Sequence, residues 1–317
     1  MPQLAPSRGA VVPTEFATIQ WSDVVRQHAR HLVQLAIAED LGDGCDWTST
    51  SLVPETARGG AHLVARQAGV VAGMPVLDLV LDELNAEVEL LYPVEDGTAV
   101  ERGDRLGTLS GMSRHILMAE RISLNFLGRL SGIASLTHQY VSRVAGTGAR
   151  IYDTRKTTPG WRLLEKYAVG CGGGYNHRLG LHRGVMIKDN HVAAAEEEGL
   201  DLGGALEKVR QYLTAKKADV EAIVVEVDSL SQLEALLPLR PDIILLDNMD
   251  PETLQAGVAL RDRLAPEVVL EASGGITLET VRSVAESGVD RISVGALTHS
   301  AQGLDIGLDW THGEIGA

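Results

Sequence analysis

The sequence has few cysteines, few aromatic residues and no long hydrophobic run, and each shortage narrows the choice of function. Its two cysteines, Cys45 and Cys171, lie far apart without metal-type spacing, which fits a reducing, cytoplasmic compartment. Aromatic residues make up only 4% of the 317 residues and leave few platforms for stacking nucleic-acid bases. No apolar segment approaches the ~18 residues of a membrane span, and the first twenty residues lack a signal-peptide core. We therefore expect a soluble globular protein.

Positive charge is also scarce, except in one stretch. The chain has 28 Lys and Arg against 43 Asp and Glu, a net charge of −15 that argues against nucleic-acid and membrane partners. Between Arg150 and His191, however, eight Lys or Arg stand against three Asp or Glu. An anionic ligand would have to be held by this local excess.

The first half of the chain predicts an α+β domain. Helical spacing over Val24–Ala38 ends at Gly42, short β-like runs follow between Gly60 and Glu101, and an apolar stripe from Ile116 to Ile133 predicts a long helix. We predict a loose N-terminal extension over residues 1–22 and an α+β sandwich domain over 23–137. The C-terminal segment 300–317 is expected to pack on that domain.

The second half predicts parallel β/α units. Apolar runs at Ile223–Val227, Ile243–Leu246, Val268–Leu270 and Ile292–Val294 recur every 20 to 25 residues with helical segments between them. Almost every run ends in a polar residue, as in barrel enzymes, whose active sites lie at the carboxyl ends of the strands. We therefore predict an α/β fold in which an incomplete α/β barrel of roughly six or seven parallel strands, residues 138–299, follows the α+β sandwich.

The basic stretch contains the first group of candidate site residues. Thr154, Arg155 and Lys156 directly follow a predicted strand, and two more basic clusters, Asn176–Arg178 and Met186–His191, lie downstream. Arg binds a carboxylate through two parallel hydrogen bonds and Lys adds a compact charge, so a buried dicarboxylate would need several of these groups. A solvated basic loop is the alternative, and His177 alone would more often be a surface or core histidine.

The second group is acidic and follows consecutive strands. Glu226, Asp228, Asp247 and Asn248 could bind Mg²⁺, directly or through water, or accept hydrogen bonds from ribose hydroxyls. Asp228 and Asp250 are also well placed to cap the helices after them, and we expect that role for both.

Two glycine loops form the third group. Ser273 and Gly274 begin one loop, and Gly295 lies in the next unit. Backbone N–H groups at the start of a helix bind phosphate, so two such loops after the last barrel strands predict a phosphate site.

Together these motifs resemble the quinolinate phosphoribosyltransferases, the decarboxylating enzymes of NAD biosynthesis that are also called nicotinate-nucleotide pyrophosphorylases. The resemblance covers most of the chain and rests on the following segments: Glu39–Gly42, Gly69–Pro75, Glu120–Arg121, Leu130–Ala134, Thr154–Gly160, Asn176–Arg178, Ile187–His191, Asp247–Asn248 and Glu271–Gly275. It implies a glycosyltransferase that joins quinolinate to 5-phosphoribosyl-1-pyrophosphate (PRPP) and releases nicotinate mononucleotide, pyrophosphate and CO₂.

The resemblance also implies roles for single residues. Arg155, His177, Arg178 and Lys188 would hold the quinolinate carboxylates, and Thr154 and Asn248 would contact substrate. Lys156 would face PRPP, whereas Ser273, Gly274, Gly295 and His299 would bind phosphate. Glu226 and Asp247 would lie by the ribose and a Mg²⁺ cofactor, and with Lys156 they are the candidate catalytic residues. The resemblance further implies a homodimer in which Arg121 reaches the neighbouring subunit's site.

The sequence departs from the family pattern at one position, and it leaves several alternative functions open. Arg183 stands where many family members have Asp, which could alter a salt bridge. A relative that accepts another pyridine carboxylate, such as nicotinate, would leave a buried cation unpaired. A Schiff-base lyase would instead use Lys156 or Lys188 as its nucleophile, and an anion-binding barrel would show affinity without turnover.

Overall fold

The computed structural model of the chain describes residues 16–196 and 199–311. The described residues form two compact units. The first, here called the parallel-sheet unit, comprises residues 16–17, 143–152 and 177–294. The second, the antiparallel-sheet unit, comprises 18–142, 153–176 and 295–311. The units interleave along the chain and are a different division from the predicted domains, whose limits stay a prediction.

Twelve strands and eleven α-helices make up the two units. The strands are β1 (Arg58–Ala65), β2 (Gly69–Val70), β3 (Val88–Leu91), β4 (Ala99–Val100), β5 (Arg105–Met112), β6 (Arg150–Tyr152), β7 (Val185–Ile187), β8 (Ile223–Val227), β9 (Ile243–Asp247), β10 (Val269–Ser273), β11 (Arg291–Ser293) and β12 (Ile306–Thr311). The helices are α1 (Asp23–Leu41), α2 (Trp47–Leu52), α3 (Met74–Glu83), α4 (Ser113–Arg143), α5 (Arg162–Cys171), α6 (Asp189–Glu196), α7 (Leu202–Lys216), α8 (Leu230–Leu236), α9 (Pro251–Leu264), α10 (Val281–Glu286) and α11 (Ala296–His299).

The parallel-sheet unit is built on six strands in the order β6-β11-β10-β9-β8-β7, and every neighbouring pair is parallel. The central strand β9 is buried from Ile243 to Leu246, as expected for a parallel strand covered on both faces. Within the described residues, β6 and β7 each pair with only one strand of this sheet, so it has two open ends. The predicted incomplete barrel of six or seven strands is confirmed with six.

One face of this sheet carries both an apolar cluster and the predicted acidic residues. The cluster consists of Phe16, Ala222, Val224, Ile243, Leu245 and Val269, with Met186 packed against it. Side chains alternate along a strand, so residues two apart share a face. Glu226, Asp247 and Ser273 therefore continue the clustered face toward the carboxyl ends of β8, β9 and β10.

The end of the predicted N-terminal extension is not loose where the structure describes it. Phe16 is only 4% exposed and belongs to the apolar cluster, and the Ile19 N–H donates to Asn176 Oδ1 at 2.7 Å. Ser22 caps α1 by accepting from the Val25 N–H. A lone aromatic residue in an irregular segment has no periodicity, so the sequence gives no sign of this packing. Residues 1–15 of the predicted extension lie outside the described residues.

The antiparallel-sheet unit surrounds a four-stranded sheet in the order β12-β1-β5-β3. β12 pairs with β1 over six positions, from Gly60 opposite Thr311 to Ala65 opposite Ile306. The long helix α4 lies against the chain before β12, where a Cβ on Gly132 would come within 2.0 Å of the Gln302 carbonyl oxygen. Residues 312–317 of the predicted C-terminal segment lie outside the described residues.

Candidate functional site

The carboxyl ends of β8 and β9 form an acidic pocket in the parallel-sheet unit. Asp247 is the last residue of β9 and lies opposite Ser273 of β10, while Glu226 lies opposite Leu245. The pocket measures about 250 Å³. Its lining residues are Asp189, Val192, Ala193, Leu202, Glu226, Val227, Asp228, Gln232 and Asp247. The polar ends of neighbouring parallel strands therefore meet, as the sequence predicts.

Asp228 lines this pocket, and the expectation that it caps α8 is wrong. The residue in the N-cap position of α8 is Ser229, and the helix start has no side-chain cap. The Asp250 side chain does cap α9, where it accepts from the Thr253 N–H at 2.7 Å. The two helices begin at different distances after their strands, which the sequence does not specify.

Lys188 brings positive charge to the same strand ends. Its ammonium group forms an ion pair with Glu226, and 42% of the Lys188 side chain remains exposed. The neighbouring strands β7 and β8 set this pair, with Ile187 opposite Val225. A predicted carboxylate-binding residue and a predicted ribose-binding residue are thus in direct contact.

A backbone hydrogen bond connects Asn248 to the predicted phosphate loop. Asn248 adopts a left-handed backbone with φ of 53°, and its N–H donates to the Ser273 carbonyl oxygen at 2.9 Å. A Cβ on Gly274 would lie 2.1 Å from Asn248 Oδ1. Only glycine fits there, and Asn248 also donates to the Asp247 carboxylate at 2.7 Å. Four predicted site residues are therefore packed together at the ends of β9 and β10.

His177 and Arg178 are buried in the parallel-sheet unit, at 5% and 6% exposure. His177 Nδ1 accepts from the Arg178 N–H at 2.7 Å, and Arg178 Nη1 donates to the Gly184 carbonyl oxygen at 2.8 Å. His177 Nε2 lies 3.4 Å from Glu271 Oε1.

Glu271 is not one of the predicted site residues, and it forms a buried charge cluster. It is fully buried on β10, forms an ion pair with Arg291 at 2.9 Å and accepts from the Ser293 hydroxyl. Burial by itself would raise the pKa of this carboxyl, but the Arg291 charge and the hydrogen bonds hold the pKa at about 2. Glu271 is therefore a carboxylate at neutral pH. Its place in the middle of a strand, among apolar residues, is the only signal in the sequence.

The antiparallel-sheet unit holds the remaining predicted residues. The Lys156 N–H donates to Thr154 Oγ1 at 3.0 Å, and the Lys156 carbonyl oxygen accepts from the Thr298 hydroxyl at 2.7 Å. A Cβ on Gly295 would lie 3.1 Å from Lys156 Cδ and 3.2 Å from His299 Nε2. Lys156 and His299 therefore both lie beside Gly295, and their role in phosphate binding stays a prediction.

Buried polar residues fix the segment that carries Thr154, Arg155 and Lys156. Asp153 pairs with Lys166 at 2.5 Å, and both side chains are fully buried. Burial lowers the pKa of Lys166, although the Asp153 charge opposes that change. Glu165 accepts from both the N–H and the hydroxyl of Thr158, which ties the far end of the segment to α5.

Arg155 and Arg121 have different surroundings in this unit. Arg155 Nε is buried and has no hydrogen-bond partner among the described residues, which fits a group that awaits an anion. Arg121 lies on α4 and is exposed. An exposed position is what a role in a neighbouring subunit would require.

The buried Cys171 is a poor nucleophile. Burial, together with the nearby Asp96 charge, raises the pKa of the Cys171 thiol to about 12, so the thiol stays protonated. Within residues 16–196 and 199–311, no cluster of three or more His, Cys, Asp and Glu side chains could hold a metal ion on its own.

Two protein-family models match the chain. The N-terminal domain of quinolinate phosphoribosyl transferase matches residues 46–131, and the C-terminal domain of the same enzyme matches residues 133–309. The chain belongs to the quinolinate phosphoribosyltransferase family.

Similar proteins and structures agree with this family. A nicotinate-nucleotide pyrophosphorylase [carboxylating] from Mycobacterium leprae is 46% identical over 290 residues, which cover 91% of this chain and 99% of the relative. A probable enzyme of the same name from Bacillus subtilis is 40% identical, covering 86% and 90%. The solved nicotinate-nucleotide pyrophosphorylase of Francisella tularensis superposes with a TM-score of 0.83 at 31% identity, covering 94% of this chain and all of that one.

Membership of the quinolinate phosphoribosyltransferase family confirms the resemblance, the enzyme class and the α/β fold that the sequence predicts. The comparisons favour this function over the Schiff-base lyase and over a relative for another pyridine carboxylate. No helix in the described part of the chain is both long and apolar enough to cross a membrane. The roles of the individual site residues remain predictions.

Proposed function

We propose that this member of the family transfers the phosphoribosyl group of PRPP to the ring nitrogen of quinolinate and then decarboxylates the product. The proposal is carried by a chain that both family models match and that contains a buried Arg178, a buried Arg155 Nε atom and closely packed glycine loops. A dicarboxylate and a pyrophosphate ester are the two ligands that this combination suits.

Arg155, Arg178 and Lys188 bind the two quinolinate carboxylates in this proposal. Arg155 offers a buried Nε without a hydrogen-bond partner among the described residues, and the buried Arg178 is anchored by the hydrogen bond from its Nη1 to the Gly184 carbonyl oxygen. Lys188 lies beside Glu226 and can exchange that partner for a substrate carboxylate. His177 supports Arg178 by accepting its main-chain N–H, and Thr154 orders the segment through the Lys156 N–H.

The phosphoribosyl donor is assigned to the glycine loops and the acidic pocket. Lys156, Gly295 and His299 form one phosphate position, and Ser273 and Gly274, beside Asn248, form a second. Glu226 and Asp247 lie at the carboxyl ends of adjacent strands, where they accept hydrogen bonds from the ribose hydroxyls.

Glu226 and Asp247 also fit a Mg²⁺ ion that arrives with the donor. Mg²⁺ in phosphate-transfer sites is held by one or two carboxylates, by water and by the substrate phosphates, so a cluster of three acidic residues is not required. When bound, the ion neutralises the departing pyrophosphate.

The two bond changes need no general base from the protein. The lone pair of the ring nitrogen forms the new bond to the ribose C1 atom, and the C1–O bond to pyrophosphate breaks with its electrons on the leaving oxygen. Glu226 and Asp247 stabilise the positive charge that develops on the ribose. The nitrogen is then cationic, and its charge stabilises the electron pair that remains on the adjacent ring carbon when the C–C bond breaks and CO₂ leaves. A proton from water completes nicotinate mononucleotide.

We further propose a cytoplasmic homodimer. Arg121 is exposed and would act in the site of the second subunit, and Cys45 and Cys171 are free thiols. Free thiols are typical of a reducing compartment.

The test is an assay of the purified chain with carboxyl-labelled quinolinate, PRPP and Mg²⁺. We expect labelled CO₂ and nicotinate mononucleotide in equal amounts, and no product when nicotinate replaces quinolinate. Failure to form either product in folded protein would refute the proposal. Turnover of nicotinate at a similar rate would show that the second carboxylate is not recognised.

A further inference from the structure

The ring of Phe16 packs flat on the ring of His177. The ring centroids are 4.7 Å apart and the planes differ by 27°. Phe16 is one of two phenylalanines in the chain and is only 4% exposed. A ring stacked at this distance prevents the imidazole from turning about its side-chain bonds.

The two nitrogens of His177 are directed at different partners. A backbone N–H can only donate, so Nδ1, which accepts from Arg178, carries no proton. The ring proton then belongs on Nε2, the nitrogen that lies 3.4 Å from Glu271. Glu271 is in turn fixed by Arg291 and Ser293, and the Arg291 guanidinium lies 5.4 Å from the Phe16 ring centroid. His177 is therefore held in one orientation and one tautomer.

Phe16 also touches the second anchor of Arg178. A Cβ on Gly184 would come 2.9 Å from Phe16 Cε1, so this glycine lies directly against the ring. The Gly184 carbonyl oxygen accepts from Arg178 Nη1, and His177 accepts from the Arg178 N–H. Phe16 thus supports both groups that fix Arg178, one at its main chain and one at its guanidinium.

We propose that Phe16 is a positioning residue for quinolinate binding, which acts with Glu271 through His177 and Gly184 to orient Arg178. The inference rests on the proposed function, because it takes Arg178 as a ligand of a substrate carboxylate. Phe16 belongs to the predicted loose extension, and the inference assigns it a role in orienting Arg178 through its contacts with His177 and Gly184.

The first experiment compares Phe16→Leu with Ile243→Val, a control in the same apolar cluster that lacks the flat ring. We expect Phe16→Leu to raise the KM for quinolinate about three- to tenfold, as the loss of one aromatic contact predicts. The KM for PRPP and kcat should change less than about twofold, since lost ground-state binding appears in KM. Ile243→Val should leave all three constants unchanged. A Phe16→Leu variant with a lower kcat and an unchanged KM would show a merely structural role and overturn the inference.

A second variant tests the contact between Gly184 and the Phe16 ring. Gly184→Ala would place its new methyl group 2.9 Å from Phe16 Cε1 and 3.2 Å from the Ala222 carbonyl oxygen, so the ring must shift, while the backbone of this glycine is not left-handed and adds no strain of its own. We expect the same selective rise in the quinolinate KM. A Gly184→Ala protein with wild-type constants would contradict the proposed route through the ring.

Nitrogen NMR of ¹⁵N-histidine protein gives a readout that does not depend on turnover. His177, identified by its loss in His177→Gln, should show the Nε2–H tautomer in the wild type and averaged nitrogen shifts in Phe16→Leu. Unchanged shifts in Phe16→Leu would overturn the inference even if the enzyme is active. If the wild type makes no product but the shifts average as expected, the proposed function fails while the packing role of Phe16 stands.

Discussion

At the scale of the residue, backbone conformation shapes the strand ends as much as charge does. Asn248, Gly274 and Gly275 all have positive φ, and Gly274 additionally lies against Asn248. Most residues other than glycine and asparagine are strained by about 1 to 2 kcal/mol in the left-handed backbone region. The predicted phosphate loop therefore requires glycine for two separate reasons: its backbone conformation and its contact with Asn248.

Gly274→Ala should separate those reasons from each other. Its new Cβ would lie 2.1 Å from Asn248 Oδ1, whereas a Cβ on Gly275 would meet nothing within 4 Å. Both variants suffer the left-handed strain, but only Gly274→Ala should displace Asn248. We expect a rise of at least about tenfold in the KM for PRPP for Gly274→Ala and a much smaller one for Gly275→Ala. Equal effects on steady-state kinetics would show that strain alone matters.

Glu271 gives a prediction for acid stability. Its pKa in the folded protein is about 2, below the ordinary value of 4.5. The stabilisation it provides is therefore present above about pH 4.5 and is lost as the pH falls toward 2. The difference in unfolding free energy between the wild type and Glu271→Gln should shrink by about 3 kcal/mol over that range. Urea unfolding at several pH values measures it, and a constant difference would contradict the assigned pKa.

Arg183 shows how a departure from a family pattern is accommodated. It forms an ion pair with Glu221, with 46% of the Arg183 side chain exposed. Pairs this exposed contribute little to stability. The change at this position is thus absorbed locally.

At the scale of the element, periodic patterns predict the structure well and caps less well. The apolar runs of β8 and β9 and the stripe of α4 have the expected positions because alternation and helical spacing persist over several residues. Asp250 and Asp228 both follow a strand shortly before a helix, but only Asp250 occupies the N-cap position, because α8 begins two residues after Asp228. Which residue caps depends on where the first turn begins, and that is set by packing.

The two aspartates make a matched pair for experiment. Asp250→Ala should lower the unfolding free energy by about 1 kcal/mol because the Thr253 N–H loses its acceptor. Asp228→Ala should leave the unfolding free energy nearly unchanged, since its side chain lines the pocket and does not cap. Thermal denaturation followed by circular dichroism distinguishes them, and the reverse order would restore the interpretation of Asp228 as a cap.

At the scale of the whole molecule, the sequence predicts which residues are chemically suited to the site but not how they are held. Lys156 is far from Gly295 and His299 in sequence, yet the three residues, which the resemblance assigns to PRPP or its phosphates, lie together. The buried supports, such as Asp153 with Lys166 and Glu271 with Arg291, could not be predicted. A buried ion pair between distant residues has no local signature.

Sharing of sites between subunits can be tested by mixing inactive variants. Arg121→Ala and Arg155→Ala should each be inactive alone, and subunit exchange should restore about a quarter of wild-type activity, because half of the dimers then hold one intact site. Mixing Arg155→Ala with Lys156→Ala is the control, since both residues serve their own subunit's site and no intact site can form. Recovery in both mixtures, or in neither, would contradict the role of Arg121.

The pairing of β12 with β1 has a consequence for how the protein is made. Ala65 pairs with Ile306 and Gly60 pairs with Thr311, so the first strand of this sheet in the sequence pairs with the last one. During synthesis, the edge of β1 that β12 covers must remain unpaired until residues 306–311 have left the ribosome. Open strand edges invite pairing with other chains, and contacts this distant in sequence form slowly. The nascent chain is therefore exposed to aggregation until β12 emerges, and a chaperone that shields β1 would matter most during that interval.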